Sequence, residues 1–316
     1  MSEASSTPVA IGALSVVETA GFADYRLIDS GAGRKLERFG AIVVDRPEPQ
    51  ALWRPRLEAP RWQAAHAVFA GDDDEEAGKW RIDKPVPESW PIRVEGVTLL
   101  GRLSGFRHLG LFPEQLPHWQ WMTASIERLR PALAGEPLRV LNLFAYTGAA
   151  SLIAARAGAE VVHVDASKKA ITWARENQAA SGLEKAPIRW IVEDARKFVA
   201  REVRRGRTYH IILIDPPKFG RGPGGEVWEL FEHVAPLMTD CAALLDRRAS
   251  CLVLTAYAIR ASALSFGQLT ADVLAGRGGS FDVGELAIAE ESGRRLVPTS
   301  LFTCWTSTHR TSSHGT

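Results

Sequence analysis

From about residue 139 to residue 274, short apolar runs alternate with amphipathic stretches of helical period, and this alternation constrains the fold more than any other feature of the chain. Arg139 to Phe144 precedes a helical pattern from about Gly148 to Ala157, and Glu160 to Val164 precedes one from about Lys168 to Ala180. Ile188 to Val192, Tyr209 to Ile214 and Cys251 to Tyr257 are followed in the same way by helices from about Ala195 to Arg204, Val227 to Leu245 and Ser262 to Leu274. Repeats of this kind cover both faces of a sheet, so the pattern predicts an α/β domain with a doubly wound, mainly parallel sheet. Two further strands, Phe281 to Ala289 and Thr299 to Trp305, are joined by Glu290 to Arg295. That linker is too short for a crossover helix, so the pair is expected to form a C-terminal antiparallel hairpin.

The first third of the chain reads differently. Residues 1–15 are small and polar and are expected to fray. Beyond them come short strand signals. Gly31-Ala32-Gly33 is a turn, Phe39 to Val44 a strand ended by Arg46-Pro47-Glu48-Pro49, and Val68 to Ala70 a strand before the acidic turn Asp72 to Glu76. Lys79 to Asp83 continues beyond that turn, and Val97 to Leu103 is a further strand. The segment Lys84 to Pro91 holds three prolines and is expected to be irregular. Trp53, Trp62, Trp80 and Trp90 are read as filling a small core rather than stacking on bases. The division expected is a small β-rich domain over 1–105, placed to guide substrate, and the sheet domain over 106–316, with a helix from Trp119 to Leu129.

Composition excludes several classes. No apolar run reaches the roughly 18 residues that suggest a spanning helix, and Met1 to Ala10 lacks the basic and apolar regions of a signal peptide. Neither a membrane span nor a leader is expected. Three cysteines, Cys241, Cys251 and Cys304, form no close pair, which suits a reducing cytoplasm and gives no metal-binding spacing. The net charge is +1, split as −3 over 1–105 and +4 over 106–316. A nucleic-acid surface must therefore be local. The densest basic stretch, Arg201, Arg204, Arg205 and Arg207, is read as a solvated helix end. Nothing in the sequence specifies an oligomeric state.

In open α/β sheets ligands bind beyond the carboxyl ends of the strands, so the residues that follow each strand carry the chemistry. The first strand runs into Asn142-Leu143-Phe144-Ala145-Tyr146-Thr147-Gly148-Ala149-Ala150-Ser151, where one glycine lets the backbone approach a ligand. The second ends at Asp165, before Ala166-Ser167, and the third at Asp194-Ala195. Asp165 suits two ribose hydroxyls and Asp194 an exocyclic amine of adenine, and each equally suits a helix N-cap. The fourth ends at Asp215-Pro216-Pro217-Lys218-Phe219. Two prolines remove two amide donors and stiffen the turn, an arrangement that favours function over a purely structural bend. The set fits adenosine with an amino-acid tail beside a reaction point. It lacks GxxxxGK[ST] and GxGxxG, which argues against nucleoside triphosphates and against a nicotinamide-dependent oxidoreductase.

These segments, with Ala174-Arg175-Glu176-Asn177, resemble the Rossmann-like class I S-adenosylmethionine-dependent methyltransferases. More closely they resemble the bacterial ribosomal RNA large-subunit methyltransferase group. Gly110-Leu111-Phe112-Pro113-Glu114-Gln115 is similar to that group's Gly-x-Phe-x-(Asp/Glu)-Gln segment, and the resemblance covers about residues 105–305. It implies S-adenosyl-L-methionine as cofactor and ribosomal RNA as partner. Asn142, Phe144, Tyr146, Thr147 and Gly148 would surround the methionine portion, and Asp165 with Ala166 and Ser167 would hold the ribose. Asp194 and Ala195 would flank the adenine, Asp215 would sit at the methyl, and Phe112 and Gln115 would close the cleft.

For an amine acceptor, Asp215 and the Pro216 carbonyl would accept its N–H bonds. Phe219 stands one place later than the aromatic of the usual amino-methylating pattern, and it suits either stacking on a base or packing in the interior. Cytosine-C5 relatives place a cysteine after the fifth strand. Here Leu254-Thr255-Ala256-Tyr257 carries none, and Tyr257 or Arg260 is expected to shape the acceptor side. The function expected is methylation of a ribosomal RNA base on a nitrogen. The alternatives are a small-molecule or protein acceptor, and a non-catalytic RNA-associated module.

Overall fold

The computed structural model describes residues 12–71, 78–257 and 259–308. The expectations for residues 1–11 and for the acidic turn Asp72 to Glu76 lie outside the described residues. In chain order the first elements are β1 (Ser15–Thr19), β2 (Tyr25–Gly31), β3 (Arg34–Phe39), β4 (Ile42–Pro47), α1 (Ala59–Gln63), β5 (Ala67–Ala70), β6 (Lys79–Ile82), β7 (Trp90–Val94) and β8 (Val97–Gly101). A 3-10 turn at Pro113–Gln115 leads into α2 (Leu116–Leu129). Then follow β9 (Arg139–Leu143), α3 (Ala149–Arg156), β10 (Glu160–Asp165), α4 (Lys168–Ala180), β11 (Ile188–Val192), α5 (Ala195–Arg204) and β12 (Ile211–Ile214). The chain continues through β13 (Phe219–Arg221), β14 (Val227–Glu229), α6 (Leu230–Leu244), β15 (Cys251–Tyr257), α7 (Ala263–Val273), β16 (Ser280–Ala289) and β17 (Leu296–Thr306).

The large sheet has the order β1-β16-β17-β15-β12-β9-β10-β11. Strands β9 to β12 and β15 pair in parallel, and β17 runs antiparallel to both β15 and β16. This is the expected doubly wound, Rossmann-like sheet with its C-terminal hairpin. Strand alternation divides the central residues between two cores. Val140, Ile211, Leu213 and Val253 pack with Ile126 and Leu129 of α2 and Leu152 of α3. Leu141, Ile212, Ile214 and Leu254 pack with Phe198 of α5 and Leu237 and Met238 of α6. Each such buried aliphatic contributes about 1.5–3 kcal/mol of transfer free energy.

Several local expectations are corrected. Phe39 to Val44 is not one strand: Phe39 closes β3 and Ile42 opens β4, and the chain reverses between them at Gly40-Ala41, where Gly40 takes φ +57°. Pro91 lies inside β7, in a two-stranded sheet where a free edge makes no demand on its missing N–H. The helix expected from Val227 begins at Leu230, since Val227–Glu229 pairs with Phe219–Arg221 first. The basic run after residue 200 is, as expected, an exposed end of α5, with Arg201 paired to Glu193 and Arg205 to Glu202. Of the four early tryptophans only Trp90 is buried, while Trp53, Trp62 and Trp80 are half-buried with their indole N–H groups bonded to protein oxygens.

The expected boundary near residue 105 is not a seam in the packing. Tyr25, Leu27, Phe39 and Leu99 share one apolar cluster with Leu129, Val140 and Leu152. Trp173 of α4 donates to the Leu100 carbonyl at 2.9 Å, and Asn177 accepts from the Leu100 N–H at 2.8 Å. Ser15–Thr19 leaves the N-terminal part altogether and adds a parallel edge strand beside β16. Gly284 permits this, because a Cβ there would overlap the Ser15 carbonyl.

Candidate active site

Strands β9 and β12 are neighbours, yet β10 and β11 continue to one side of β9 while β15 continues beyond β12. The crossovers reverse there and leave a crevice at the carboxyl ends. A narrow cleft occupies it, with a volume of about 70 Å³. Its wall includes Gly110, Phe112, Gln115 and His118 from the segment around the 3-10 turn, Asn142 and Phe144 to Ala150 from the β9–α3 loop, Asp215 beyond β12, and Thr255 on β15.

The β9–α3 loop owes its shape to three left-handed residues, Phe144 (φ +55°), Tyr146 (φ +49°) and Gly148 (φ +89°). For a non-glycine residue such a conformation costs about 1–3 kcal/mol, so surrounding bonds must hold it. Asp165 Oδ2 accepts from the Tyr146 N–H at 2.8 Å, and Asn177 Nδ2 donates to the Thr147 carbonyl at 2.9 Å. Thr147 Oγ1 donates to the Gly110 carbonyl at 2.6 Å, which ties the loop to the segment opposite. Gly148 starts α3 without a side-chain cap, and a Cβ there would crowd Ala174 at 3.1 Å. The first amides of α3 therefore face the cleft wall at Ala149 and Ala150 as donors for an anionic group. Behind the loop, Asn142 Nδ2 donates to Ser151 Oγ at 3.0 Å, and Ser151 Oγ lies 3.0 Å from His163 Nδ1. Burial lowers His163 to about 3, so this support is uncharged at neutral pH.

The three acids at the strand ends have different surroundings. Asp165 is not the cap of α4, a role taken by Ser167 Oγ, which accepts from the Ala170 N–H at 3.2 Å. Its two oxygens instead accept from the Tyr146 and Ser167 N–H groups, both at 2.8 Å. It stands behind Tyr146 rather than on the cleft wall, and Ala166 and Ser167 also lie off that wall. Each carboxylate oxygen retains a second lone pair for a hydroxyl donor. Asp194 is the N-cap of α5, accepting from the Lys197 N–H at 3.1 Å, and neither it nor Ala195 lines the cleft.

Asp215 does line it. Gln115 Nε2 donates to its Oδ2 at 3.4 Å, while Oδ1 accepts no hydrogen bond among the described residues. Burial, with a smaller contribution from the buried Glu114, pushes the Asp215 carboxyl up to about 7. The following turn is held by Trp228, whose Nε1 donates to the Pro217 carbonyl at 2.7 Å and whose ring packs 4.8 Å from Phe144. No hydrogen bond reaches the Pro216 carbonyl among the described residues. Phe219 is 51% exposed beneath the Arg221 guanidinium, so of its two roles interior packing is ruled out. Phe112 stands 5.5 Å from Tyr146 and 6.3 Å from Tyr257, forming an aromatic rim, whereas Arg260 is exposed.

Thr255, on β15, lines the cleft, and among the described residues no cysteine does. Cys251 is buried at the opposite end of β15 and receives Arg128 Nη2 at 3.1 Å. Burial raises all three thiols, so no thiolate faces the cleft. The sequence reading gave no role to His118, Trp119 and Thr255 on the wall, or to Ser151 and His163 behind it. Each sits inside a strand or helix pattern with no local signature. Among the described residues no cluster of metal-binding side chains occurs, and no helix is long and apolar enough to cross a membrane.

Comparison with known proteins bears on this cleft. Residues 123–246 match the family model described as conserved hypothetical protein 95. Ribosomal RNA large subunit methyltransferase I of Aeromonas salmonicida is 40% identical over 82 residues, 26% of this chain and 21% of that protein. The chain thus spans about a fifth of the length of the curated relatives it matches. A Streptococcus mutans methyltransferase structure, 17% identical over 89% of this chain and 75% of that one with a TM-score of 0.67, shares the fold. The crystal structure of the SAM-dependent methyltransferase from Agrobacterium tumefaciens is 52% identical, covers 93% of this chain and 94% of its own, and superposes with a TM-score of 0.88. With that identity maintained across both molecules, the chain belongs to the S-adenosylmethionine-dependent methyltransferases.

Proposed function

We propose that this methyltransferase modifies a nitrogen of a ribosomal RNA base, acting in the cytoplasm, with the N-terminal sheet guiding the RNA. The observation that carries the reading is the pairing, at one strand end, of an unfilled Asp215 oxygen with an unfilled Pro216 carbonyl. Two adjacent acceptors suit an acceptor amine with N–H bonds to give. The curated relatives named for ribosomal RNA large-subunit methylation support RNA as the source of that amine.

The residues fit S-adenosylmethionine. The amides at the start of α3 suit its carboxylate, and the spare lone pairs of Asp165 suit its ribose hydroxyls. Asn142, Phe144, Tyr146 and Thr147 would enclose the amino-acid end, with Asp194 and Ala195 supporting the adenine side from behind. When bound, the cofactor supplies a methyl on a positively charged sulfur, activated for in-line displacement. The protein's share of the work is alignment and exclusion of water. Asp215, when ionised, accepts one N–H of the amine through Oδ1, and the Pro216 carbonyl accepts another, which turns the nitrogen lone pair toward the methyl. Phe219, exposed on β13, stacks on the base.

Transfer of tritiated methyl groups to separated RNA, protein and metabolite fractions tests the assignment. Label in ribosomal RNA with the native chain, and none with Asp215→Ala, is expected. Label confined to protein or metabolites would refute RNA as the acceptor.

A further inference from the structure

Behind the Asp215 carboxyl stands a single file of hydrogen-bonding groups. Gln115 Nε2 is 3.4 Å from Asp215 Oδ2, Gln115 Oε1 is 3.2 Å from His118 Nδ1, and His118 Nε2 is 3.8 Å from Cys304 Sγ. Gln115, His118 and Cys304 are buried, and Phe302 closes over the imidazole edge-on at 5.1 Å. A neutral imidazole has one donor and one acceptor nitrogen, an amide has one donor end and one acceptor end, and a thiol serves weakly as either. An ionised Asp215 therefore admits only one direction of the file, while a neutral Asp215, which has both a donor and an acceptor oxygen, also admits the reverse. In one, Cys304 S–H points to His118 Nε2, His118 Nδ1–H to Gln115 Oε1, and the Gln115 amide to an ionised Asp215. In the other, a protonated Asp215 donates to Gln115 Oε1, the Gln115 amide donates to His118 Nδ1, and His118 Nε2–H donates to the sulfur.

We propose that Gln115 and His118 are positioning residues that reverse direction together with the charge on Asp215, holding Oδ2 by a donor whenever Oδ1 is ready for the acceptor amine. The reversal balances. Asp215 gains its proton from solvent, the Gln115 amide turns over, and the one imidazole proton moves between the two nitrogens by exchange with water. His118 carries no charge in either state, because burial alone lowers it to about 4. The charge that bears on Asp215 is that of Glu114, which itself faces Lys35, Arg46 and Glu37 of the N-terminal sheet. The proposal deepens the reading of Asp215 as the group that receives the acceptor.

Nitrogen NMR of the full-length, histidine-labelled protein, with no acceptor present, reads the tautomer of His118 directly. The Nδ1–H form is expected at pH 8.5 or so and the Nε2–H form at about pH 5.5, with the change centred near the Asp215 titration. A single tautomer throughout overturns the relay. In turnover assays, His118→Phe keeps the ring volume and removes the donor, so the pH midpoint of kcat should rise by about half a unit to one unit. His118→Asn, which returns an amide near the position of Nδ1, should bring the midpoint back. A uniform loss at every pH, or identical behaviour of the two variants, overturns the proposal. The NMR measurement stands even if the phenylalanine variant fails to fold. It also needs no acceptor, so a tautomer that titrates in a protein that does not methylate RNA would sink the proposed substrate and leave the relay intact.

Discussion

The two ends of the cleft are built on opposite terms. Around the β9–α3 loop the polar side chains are spent on main-chain partners: Asp165 on Tyr146 and Ser167, Asn177 on Thr147 and Leu100, Thr147 on Gly110. Around Asp215 the polarity is left open, with one oxygen and the next carbonyl unclaimed and a carboxyl that burial holds near neutral. Satisfied groups hold a shape for a ligand that arrives whole, and unsatisfied groups are kept for an atom that must be turned. The open end costs stability and the closed end supplies it.

The strongest way to break this contrast is Asp215→Ala. Turnover should fall by about 10²–10⁴-fold, while calorimetric affinity for S-adenosylmethionine stays within a few fold. A parallel loss of affinity would show that the two ends are one. Because the Asp215 carboxyl is raised on folding, its stabilising contribution is complete below the unfolded value and is lost as pH rises through about 7. Asp215→Asn should therefore raise Tm relative to the native chain at pH 8 and not at pH 5, and native turnover should climb with pH through about 7.

Asp165→Asn probes the closed end. Loss of hydrogen bonds to a charged group should weaken cofactor binding by about 10–100-fold, with kcat at saturation little changed. A large fall in kcat alone would place Asp165 in the chemistry. Phe219→Ala removes an exposed ring, so Tm should hold while the acceptor KM rises by about tenfold, the lower range of a stacked base. An unchanged KM would take Phe219 out of the acceptor path. The smallest effect belongs to Cys251→Ala, with turnover expected within about twofold. A drop like that of Asp215→Ala would revive covalent catalysis.

The sheet was legible because a strand buried on both faces and a helix buried on one leave different periods in the sequence, and β15, α4 and α5 fall where those periods place them. What escaped was set by long-range pairing. Nothing near Phe39 announces that Gly40 turns back on Pro91, and nothing in Val227–Glu229 names Phe219–Arg221 as its partner. At the site, the Asp-Pro-Pro turn spoke for itself because proline restricts its own backbone. Asp194 was ambiguous because capping a helix and meeting a ligand call for the same carboxylate, and in the fold it caps α5. His118 was silent, since a buried histidine in a helix gains meaning only from Gln115 and Cys304, one turn and most of the chain away.

The edge strand β1 has a consequence for biosynthesis. Its register joins Ser15 to Gly284 and Thr19 to Ile288, so β1 must wait for a segment made long after it. Until β16 has been made, β1 has no partner, and the large sheet gains this outer border late. Folding of that border is non-local and slow by nature. A chain interrupted before β16 would carry an unpaired strand, and such a product is a natural mark for proteolysis.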